Sequence, residues 1–319
     1  MTAMPTRLLP AAAATALSIA LAACGSGSPV PAAGDDAERP GLPPRPWTIA
    51  HRGASAYAPE NTIPAFTLGA DQGAVFVEID LQRTKDGQLV ALHDLTLDRT
   101  TDVATVFPDR ARPAHDDEER VPHWWLEDFT LDELRRLDAG SWFDPAFAGT
   151  RIPTFDEIIE ALRGRAGIFI ELKAPERYPG IEGEMMAVLE RHGLHRAGAD
   201  RATPILVQSF WVPSIEALAA AGVDLPLHVL FSARDADRWC SEDGLRQLAG
   251  FATGIGPEKP TLASHEEGWQ RAIERGLFVA PRTFRASTVE GYPTVTDEMR
   301  HYLEAGAAGV ITDNPDLAP

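Results

Sequence analysis

The chain has 319 residues, 44% of them hydrophobic, which is enough for one large domain or two ordinary ones with a full core. It has 29 basic and 47 acidic residues, a formal net charge of −18, which argues against a nucleic-acid-binding protein because such a protein needs a basic surface. An anionic substrate is not excluded, since a local cluster of arginine and lysine can outweigh the average charge. The two cysteines, Cys24 and Cys240, do not suggest a disulfide framework.

The first 46 residues are predicted to lie outside the folded domain. An apolar run from Leu8 to Ala23 is too short and too rich in alanine for a stable membrane span, and is typical of a signal-peptide core. It ends in Leu-Ala-Ala-Cys, which resembles a bacterial lipobox, so Cys24 would carry lipid. We therefore predict a signal peptide over 1–23, a disordered tether over 24–46 and a folded domain over 47–319. The protein would be an extracytoplasmic lipoprotein anchored to the cell membrane, and a simply secreted protein is the alternative.

From Trp47 onward, short β-branched runs alternate with helical patterns. The predicted strands are Thr48–Ala50, Val75–Asp80, Leu89–Leu92, Ile168–Glu171, Ile205–Gln208, Leu227–Phe231, Phe251–Ile255, Leu277–Ala280 and Val310–Thr312. The predicted helices are Thr62–Gln72, Leu131–Leu137, Phe155–Arg163, Gly180–His192, Val212–Ala221, Gly244–Leu248, His265–Gly276 and Thr296–Ala305. This alternation favours a (β/α)8 TIM barrel in the α/β class. It has one strand too many, and Phe251–Ile255 is the weakest candidate.

Polar residues follow the predicted strands at their carboxyl ends, which in a barrel all open onto the face that carries active sites. They are His51 and Arg52, Glu78 and Asp80, His93 and Asp94, Glu171 and Lys173, Gln208 and Ser209, and Thr312 and Asp313. A single histidine or carboxylate at such a position is more often structural. Five successive strands that each end in such groups favour one shared site.

Three carboxylates in this set predict a divalent metal site. Glu78 and Asp80 are two residues apart in one strand, so they point to the same side, and Glu171 can approach from across the barrel. Three bare charges that converge inside a protein require a cation. Ligation by oxygen alone fits Ca²⁺ or Mg²⁺ rather than zinc.

Two histidines and two cations complete the predicted site. His51 and His93 have the pKa range that paired acid–base catalysis near neutral pH requires. Arg52 and Lys173 supply positive charge for an anionic group such as a phosphate.

Residues 48–316 resemble the glycerophosphodiester phosphodiesterase family. The matching segments are His51-Arg52-Gly53, Pro59-Glu60-Asn61-Thr62, Glu78-Ile79-Asp80, Lys85-Asp86-Gly87, His93-Asp94, Arg99-Thr100-Thr101, Glu171-Leu172-Lys173, Gln208-Ser209-Phe210 and Thr312-Asp313. Together, in this order, they are highly specific. Further segments look most like the secreted or periplasmic branch, although Arg282 stands where that branch usually carries an aromatic residue.

The resemblance implies a TIM barrel that hydrolyses glycerophosphodiesters to sn-glycerol 3-phosphate and an alcohol, as a phosphoric diester hydrolase. It implies a metal held by Glu78, Asp80 and Glu171, and phosphate contacts from Arg52 and Lys173. His51 and His93 would be acid and base, and Glu60 would orient His51 or Arg52. The long segment between Leu95 and Gly167 resembles the family's small insertion after the third strand. Ca²⁺ is the first choice of metal, since an extracytoplasmic protein meets it at about millimolar concentration.

Two alternative functions are open at this point. A lipid-anchored solute-binding protein would combine a lipobox with an α/β chain, but it would need neither the two histidines nor the carboxylates. A related barrel phospholipase would act on intact lipid. For the phosphodiesterase, the predicted partner is a small-molecule glycerophosphodiester substrate, the membrane is met through the lipid anchor only, and no nucleic acid is involved.

Overall fold

The computed structural model describes residues 41–114 and 120–319. The predicted signal peptide, most of the predicted tether and Cys24 lie outside the described residues. No helix within the described ranges is long and apolar enough to cross a membrane.

Ten strands form a single curled sheet. They are β1 (Trp47–Ala50), β2 (Phe76–Arg83), β3 (Leu89–Ala91), β4 (Gly167–Leu172), β5 (Ile205–Ser209), β6 (Leu227–Phe231), β7 (Gly254–Pro257), β8 (Phe278–Val279), β9 (Arg282–Phe284) and β10 (Gly309–Thr312). Their order is β8-β7-β6-β5-β4-β2-β1-β10-β9, and β3 pairs with β2 outside this path. Only the β2–β3 pair is antiparallel among these pairings.

The sheet closes through the segment that contains β8 and β9. β8 pairs with β7, β9 pairs with β10, and only two residues, Ala280 and Pro281, separate β8 from β9. A parallel bridge between Glu258 and Arg282 continues the pairing with β7, and Ile311 N donates a 3.0 Å hydrogen bond to Pro281 O. Counted as one interrupted strand, this segment brings the parallel strands to eight, and the predicted TIM barrel is confirmed.

The surplus strand of the prediction is β3, and the prediction that Phe251–Ile255 is the weakest was wrong. β3 turns back on β2 through residues 84–88 and lies outside the barrel. β7 is a barrel strand. Its two glycines weaken the strand signal in the sequence, because glycine is depleted in strands. Glycine is needed there: a Cβ on Gly256 would lie 2.4 Å from Leu230 Cδ2.

Eleven helices surround or follow these strands in the described chain. They are α1 (Ile63–Asp71), α2 (Val103–Val106), α3 (Leu131–Leu134), α4 (Phe155–Leu162), α5 (Ile181–Arg191), α6 (Val212–Ala220), α7 (Ala236–Trp239), α8 (Glu242–Leu248), α9 (Lys259–Ser264), α10 (Glu266–Glu274) and α11 (Val295–Glu304). Thr130 and Thr154 begin α3 and α4 with complete capping boxes. The predicted helices have their counterparts here, although α3 is only one turn long, and α2, α7 and α9 were not predicted.

The alternation of β2 decides which side chains enter the barrel. Ile79 and Leu81 belong to the core between the sheet and the helices, whereas Phe76 packs with Trp47 and Phe169 in a smaller cluster. Glu78 and Asp80 follow Phe76 at a spacing of two and so face inward above that cluster. The segment after β3 has its own core, in which Leu97, Phe129 and Leu134 are fully buried, and this confirms the predicted insertion.

Candidate active site

Three buried carboxylates meet at the carboxyl end of the barrel. Glu78 and Asp80 on β2 are each 1% exposed and Glu171 on β4 is 5% exposed. One oxygen atom of each lies within 4.8 Å of the others, because Asp80 and Glu171 are paired in register across β2 and β4. The structure therefore brings together the three predicted ligands.

The electrostatics of this cluster fit a divalent cation. Burial, together with the charges of Asp80 and Glu171, raises the pKa of Glu78 well above its usual value. Burial acts on Asp80 in the same direction, but Lys173 and Arg52 outweigh it and hold the pKa of Asp80 below its usual value. Glu78 Oε1 and Asp80 Oδ1 are buried and accept no hydrogen bond from any described residue. These two oxygens, of which Asp80 Oδ1 also forms an ion pair with Lys173, would coordinate a bound Ca²⁺ or Mg²⁺.

Two cations adjoin the carboxylates, as predicted from their positions in the sequence. Lys173 Nζ lies 2.5 Å from Glu171 Oε1 and 3.3 Å from Asp80 Oδ1. Arg52 Nε lies 3.3 Å from Asp80 Oδ2, and the backbone N–H of Arg52 donates a 2.7 Å hydrogen bond to Glu78 Oε2. Both cations are held at the rim of the cluster, where an anionic ligand of the cation would also contact them.

Glu60 contacts Arg52 rather than His51. Arg52 Nη1 donates a 2.8 Å hydrogen bond to Glu60 Oε1, and Arg99 contributes two further hydrogen bonds to the same carboxylate. Of the two residues that Glu60 was predicted to orient, the geometry favours Arg52. Because both arginines lower the pKa of Glu60 against the effect of burial, its carboxylate stays charged and fixes the Arg52 guanidinium.

His51 is held by a carboxylate from the last strand of the barrel. His51 Nδ1 and Asp313 Oδ1 are 2.6 Å apart, and Arg285 Nε donates to the other oxygen of Asp313 at 2.7 Å. This contact uses Nδ1 and leaves Nε2 of His51 available to a ligand. Burial and the positive charge of Arg52 lower the pKa of His51, although Asp313 opposes the shift. The ring is therefore neutral at neutral pH, which is the form that a general base needs.

His93 enters the site from the β3 hairpin rather than from a barrel strand. Gln82 Nε2 on β2 holds the backbone that follows β3, by hydrogen bonds of 2.6 Å to Leu92 O and 2.8 Å to Asp94 O. His93 Nδ1 lies 2.6 Å from Asp94 Oδ1, and the Asp94 carboxylate is in turn bound by Arg99. His51 and His93 thus have the same arrangement, each with a carboxylate at Nδ1.

Two residues with clear roles in this geometry were given none in the sequence analysis. Asn61 Nδ2 donates a 2.7 Å hydrogen bond to Asp80 Oδ2, and Asp80 N donates to Asn61 Oδ1 at 3.1 Å. Asp313 orients His51, as described above. Both lie inside segments that carry the family resemblance, Pro59–Thr62 and Thr312–Asp313. The resemblance therefore pointed to these residues, but it did not show which side chains they contact.

A TIM barrel whose carboxyl face combines a carboxylate trio, two histidine–carboxylate pairs and two cations has the features of a hydrolase of phosphate esters with a place for a divalent cation. Residues 51–317 match the model of the glycerophosphoryl diester phosphodiesterase family. The chain belongs to this family, and the enzyme class predicted from its sequence, glycerophosphodiester phosphodiesterase, is confirmed.

Individual relatives agree with this assignment. A glycerophosphodiester phosphodiesterase of Bacillus subtilis is 31% identical over 86% of this chain and 86% of its own length. A phosphodiesterase of Oleispira antarctica, solved in complex with the product sn-glycerol 3-phosphate, matches 85% of this chain and 94% of its own, with 26% identity and a TM-score of 0.64. A glycerophosphodiester phosphodiesterase of Agrobacterium tumefaciens matches 84% and 96%, with 25% identity and a TM-score of 0.61.

Proposed function

We propose that this chain hydrolyses glycerophosphodiesters to sn-glycerol 3-phosphate and an alcohol, with a divalent cation held by Glu78, Asp80 and Glu171. The observation that carries the proposal is the buried carboxylate trio with oxygens that lack hydrogen-bond donors, placed beside two cations. The solved Oleispira relative, whose bound product is sn-glycerol 3-phosphate, supports the same substrate class. Ca²⁺ is the proposed metal and Mg²⁺ the alternative.

The chain's own residues then have separate tasks. When bound, the cation would neutralise the phosphate and withdraw electrons from phosphorus. Arg52 and Lys173 bind the phosphate oxygens, and Glu60 keeps the Arg52 guanidinium in place. His51 takes the proton of the attacking hydroxyl at Nε2, and His93 gives a proton to the departing alcohol. The attacking group is either the glycerol 2-hydroxyl, by way of a cyclic phosphate, or water.

The histidine pairs also weigh against the solute-binding alternative. A binding protein needs groups that hold a ligand, whereas His51 and His93 are each oriented at Nδ1 by a carboxylate that leaves the other nitrogen for proton transfer.

The test is an assay of purified protein on glycerophosphocholine, with Ca²⁺, with Mg²⁺ and after removal of metal with a chelator. We expect release of sn-glycerol 3-phosphate with Ca²⁺, less with Mg²⁺, and none in the chelated and dialysed sample until metal is restored. Full activity after exhaustive chelation would contradict the metal dependence. Faster turnover with Mg²⁺ at equal occupancy would reverse the choice of metal.

We further propose that Cys24 carries lipid and tethers the enzyme to the outer face of the cell membrane, in keeping with the resemblance to the secreted branch. The proposal rests on the Leu-Ala-Ala-Cys sequence at the end of an apolar run of signal-peptide length. We expect the wild-type protein in the membrane fraction and Cys24→Ala in the soluble fraction after a mild wash. A Cys240→Ala protein, which loses the other cysteine, is the control and should stay with the membrane. Cys24→Ala protein that is still membrane-bound would contradict the anchor.

A further inference from the structure

Arg282 places a further cation at the mouth of the barrel, outside the machinery described above. It begins β9, in the segment that closes the barrel between β7 and β10. In the order of strands around the barrel this segment lies opposite β4, the strand that carries Glu171 and leads into Lys173. The negative charges of Glu171 and Glu78 act on the guanidinium across the mouth. Arg282 therefore faces the carboxylate cluster from the far side.

The guanidinium is fixed but only partly satisfied. Its side chain is 14% exposed, its Cζ lies 4.3 Å from the ring centroid of Phe210, and its Nε donates a 3.2 Å hydrogen bond to Gly256 O. Nη2 is buried and donates no hydrogen bond to any group in the described chain, and the carboxylate paired with it, Glu258, is 3.5 Å away. A buried charged donor without an acceptor is costly, so this nitrogen is set up for an acceptor that a ligand brings.

The position of Arg282 relative to Lys173 indicates which part of a substrate it would meet. Lys173 Nζ lies 5.8 Å from the centroid of the same Phe210 ring, so the two cations are no more than about 10 Å apart. Because Arg282 lies opposite β4, we expect a phosphate bound by Lys173 and the carboxylate cluster to direct its substituent toward Arg282.

We propose that Arg282, stacked on Phe210, recognises an anionic group on the alcohol of the diester, and so selects substrates whose alcohol carries a carboxylate or a second phosphate. A guanidinium binds both groups through charge-assisted hydrogen bonds, and it repels an alcohol that carries a quaternary ammonium. This inference rests on the proposed function, because it concerns the substrate of the same site. It adds a discrimination between alcohols that the carboxylates and histidines, which act on the phosphate, do not supply.

The experiment compares diesters that share one skeleton. Glycerophosphoglycerol is the neutral reference, glycerophosphoglycerate replaces its terminal CH₂OH by a carboxylate, and the third carries a phosphate on the terminal hydroxyl. We expect wild-type kcat/KM to be about tenfold or more higher for at least one anionic diester than for the neutral one, as a charge-assisted hydrogen bond allows. Arg282→Gln should lose this ratio, and Arg282→Lys should keep part of it. The carboxylate and phosphate arms show which anion is preferred.

The controls separate this inference from the proposed function. Arg234→Gln removes an exposed arginine that follows β6 on the same face, and it should leave the ratio unchanged. Thermal unfolding verifies that each variant is folded, and Arg282→Lys retains the test if Arg282→Gln does not fold. An unchanged ratio in Arg282→Gln, or equal losses on all three diesters, would overturn recognition of the alcohol. Absence of sn-glycerol 3-phosphate from every diester with wild-type protein would instead contradict the proposed function.

Discussion

Replacing Glu78, Asp80 or Glu171 by alanine should abolish metal binding and phosphodiesterase activity together. Each carboxylate would supply one of three protein ligands. The loss of one removes a ligand from the cation and leaves two buried carboxylates that repel each other. We expect no measurable Ca²⁺ binding in calorimetric titration at concentrations that saturate the wild type, and a loss of activity of about a thousandfold or more.

Two comparisons make this result specific to the metal site. Asp237→Asn removes a carboxylate from α7 whose side chain is 99% exposed, and it should change neither Ca²⁺ binding nor rate. Asp313→Asn should keep Ca²⁺ binding and lose rate, because Asp313 orients His51 and does not belong to the carboxylate trio. A Glu78, Asp80 or Glu171 variant that binds Ca²⁺ as tightly as the wild type would show that the residue is not a ligand.

The carboxylate trio could be predicted from the sequence because its geometry depends on the regular alternation of side chains along strands. Glu78 and Asp80 share a face by the two-residue period of a strand. Glu171 was predicted to approach from across the barrel, but it lies on β4, the strand that pairs directly with β2. The positions of Arg52 and Lys173 beside the carboxylates could be predicted in the same way, because each residue lies within two positions of the end of a strand.

Contacts between segments that are distant in the sequence could not be predicted from its periodicity. The pairing of His51 with Asp313 joins residues 262 apart, and it depends on the closure of the barrel by β10. The closing segment itself was hard to recognise, since Pro281 interrupts it and β8 has only two residues. β7 was underestimated for a similar reason, because Gly254 and Gly256 are required by the close packing of His228 and Leu230 rather than by any strand propensity.

The position of His93 differs from that of the other predicted site residues. It was predicted at the end of the third strand, and because β3 is the return strand of a hairpin on β2, His93 reaches the mouth from outside the barrel. The consequence is functional: the side chain of His93 is 31% exposed, whereas that of His51 is 9% exposed. The two histidines therefore line the site from a buried side and a solvent side.

This asymmetry predicts that the two histidines respond differently to the leaving group. An alcohol such as choline or glycerol departs only if it is protonated, whereas p-nitrophenolate hardly needs a proton. His93 is the more exposed of the two histidines, and we expect it to be the acid. Burial lowers the pKa of His51, so its ring is neutral and able to accept a proton. Loss of either group on a natural diester should cost about 10² to 10⁴ in rate.

The measurement compares His51→Ala and His93→Ala on glycerophosphocholine and on the p-nitrophenyl diester of glycerol phosphate. His93→Ala should recover most of the wild-type rate on the p-nitrophenyl substrate, and His51→Ala should stay inactive on both, because the attacking hydroxyl still has to lose its proton. Ca²⁺ titration of both variants serves as the control, since neither histidine is among the three carboxylate ligands. Rescue of His51→Ala instead would exchange the two roles. Equal losses for both variants on both substrates would mean that the histidines bind the phosphate and transfer no proton.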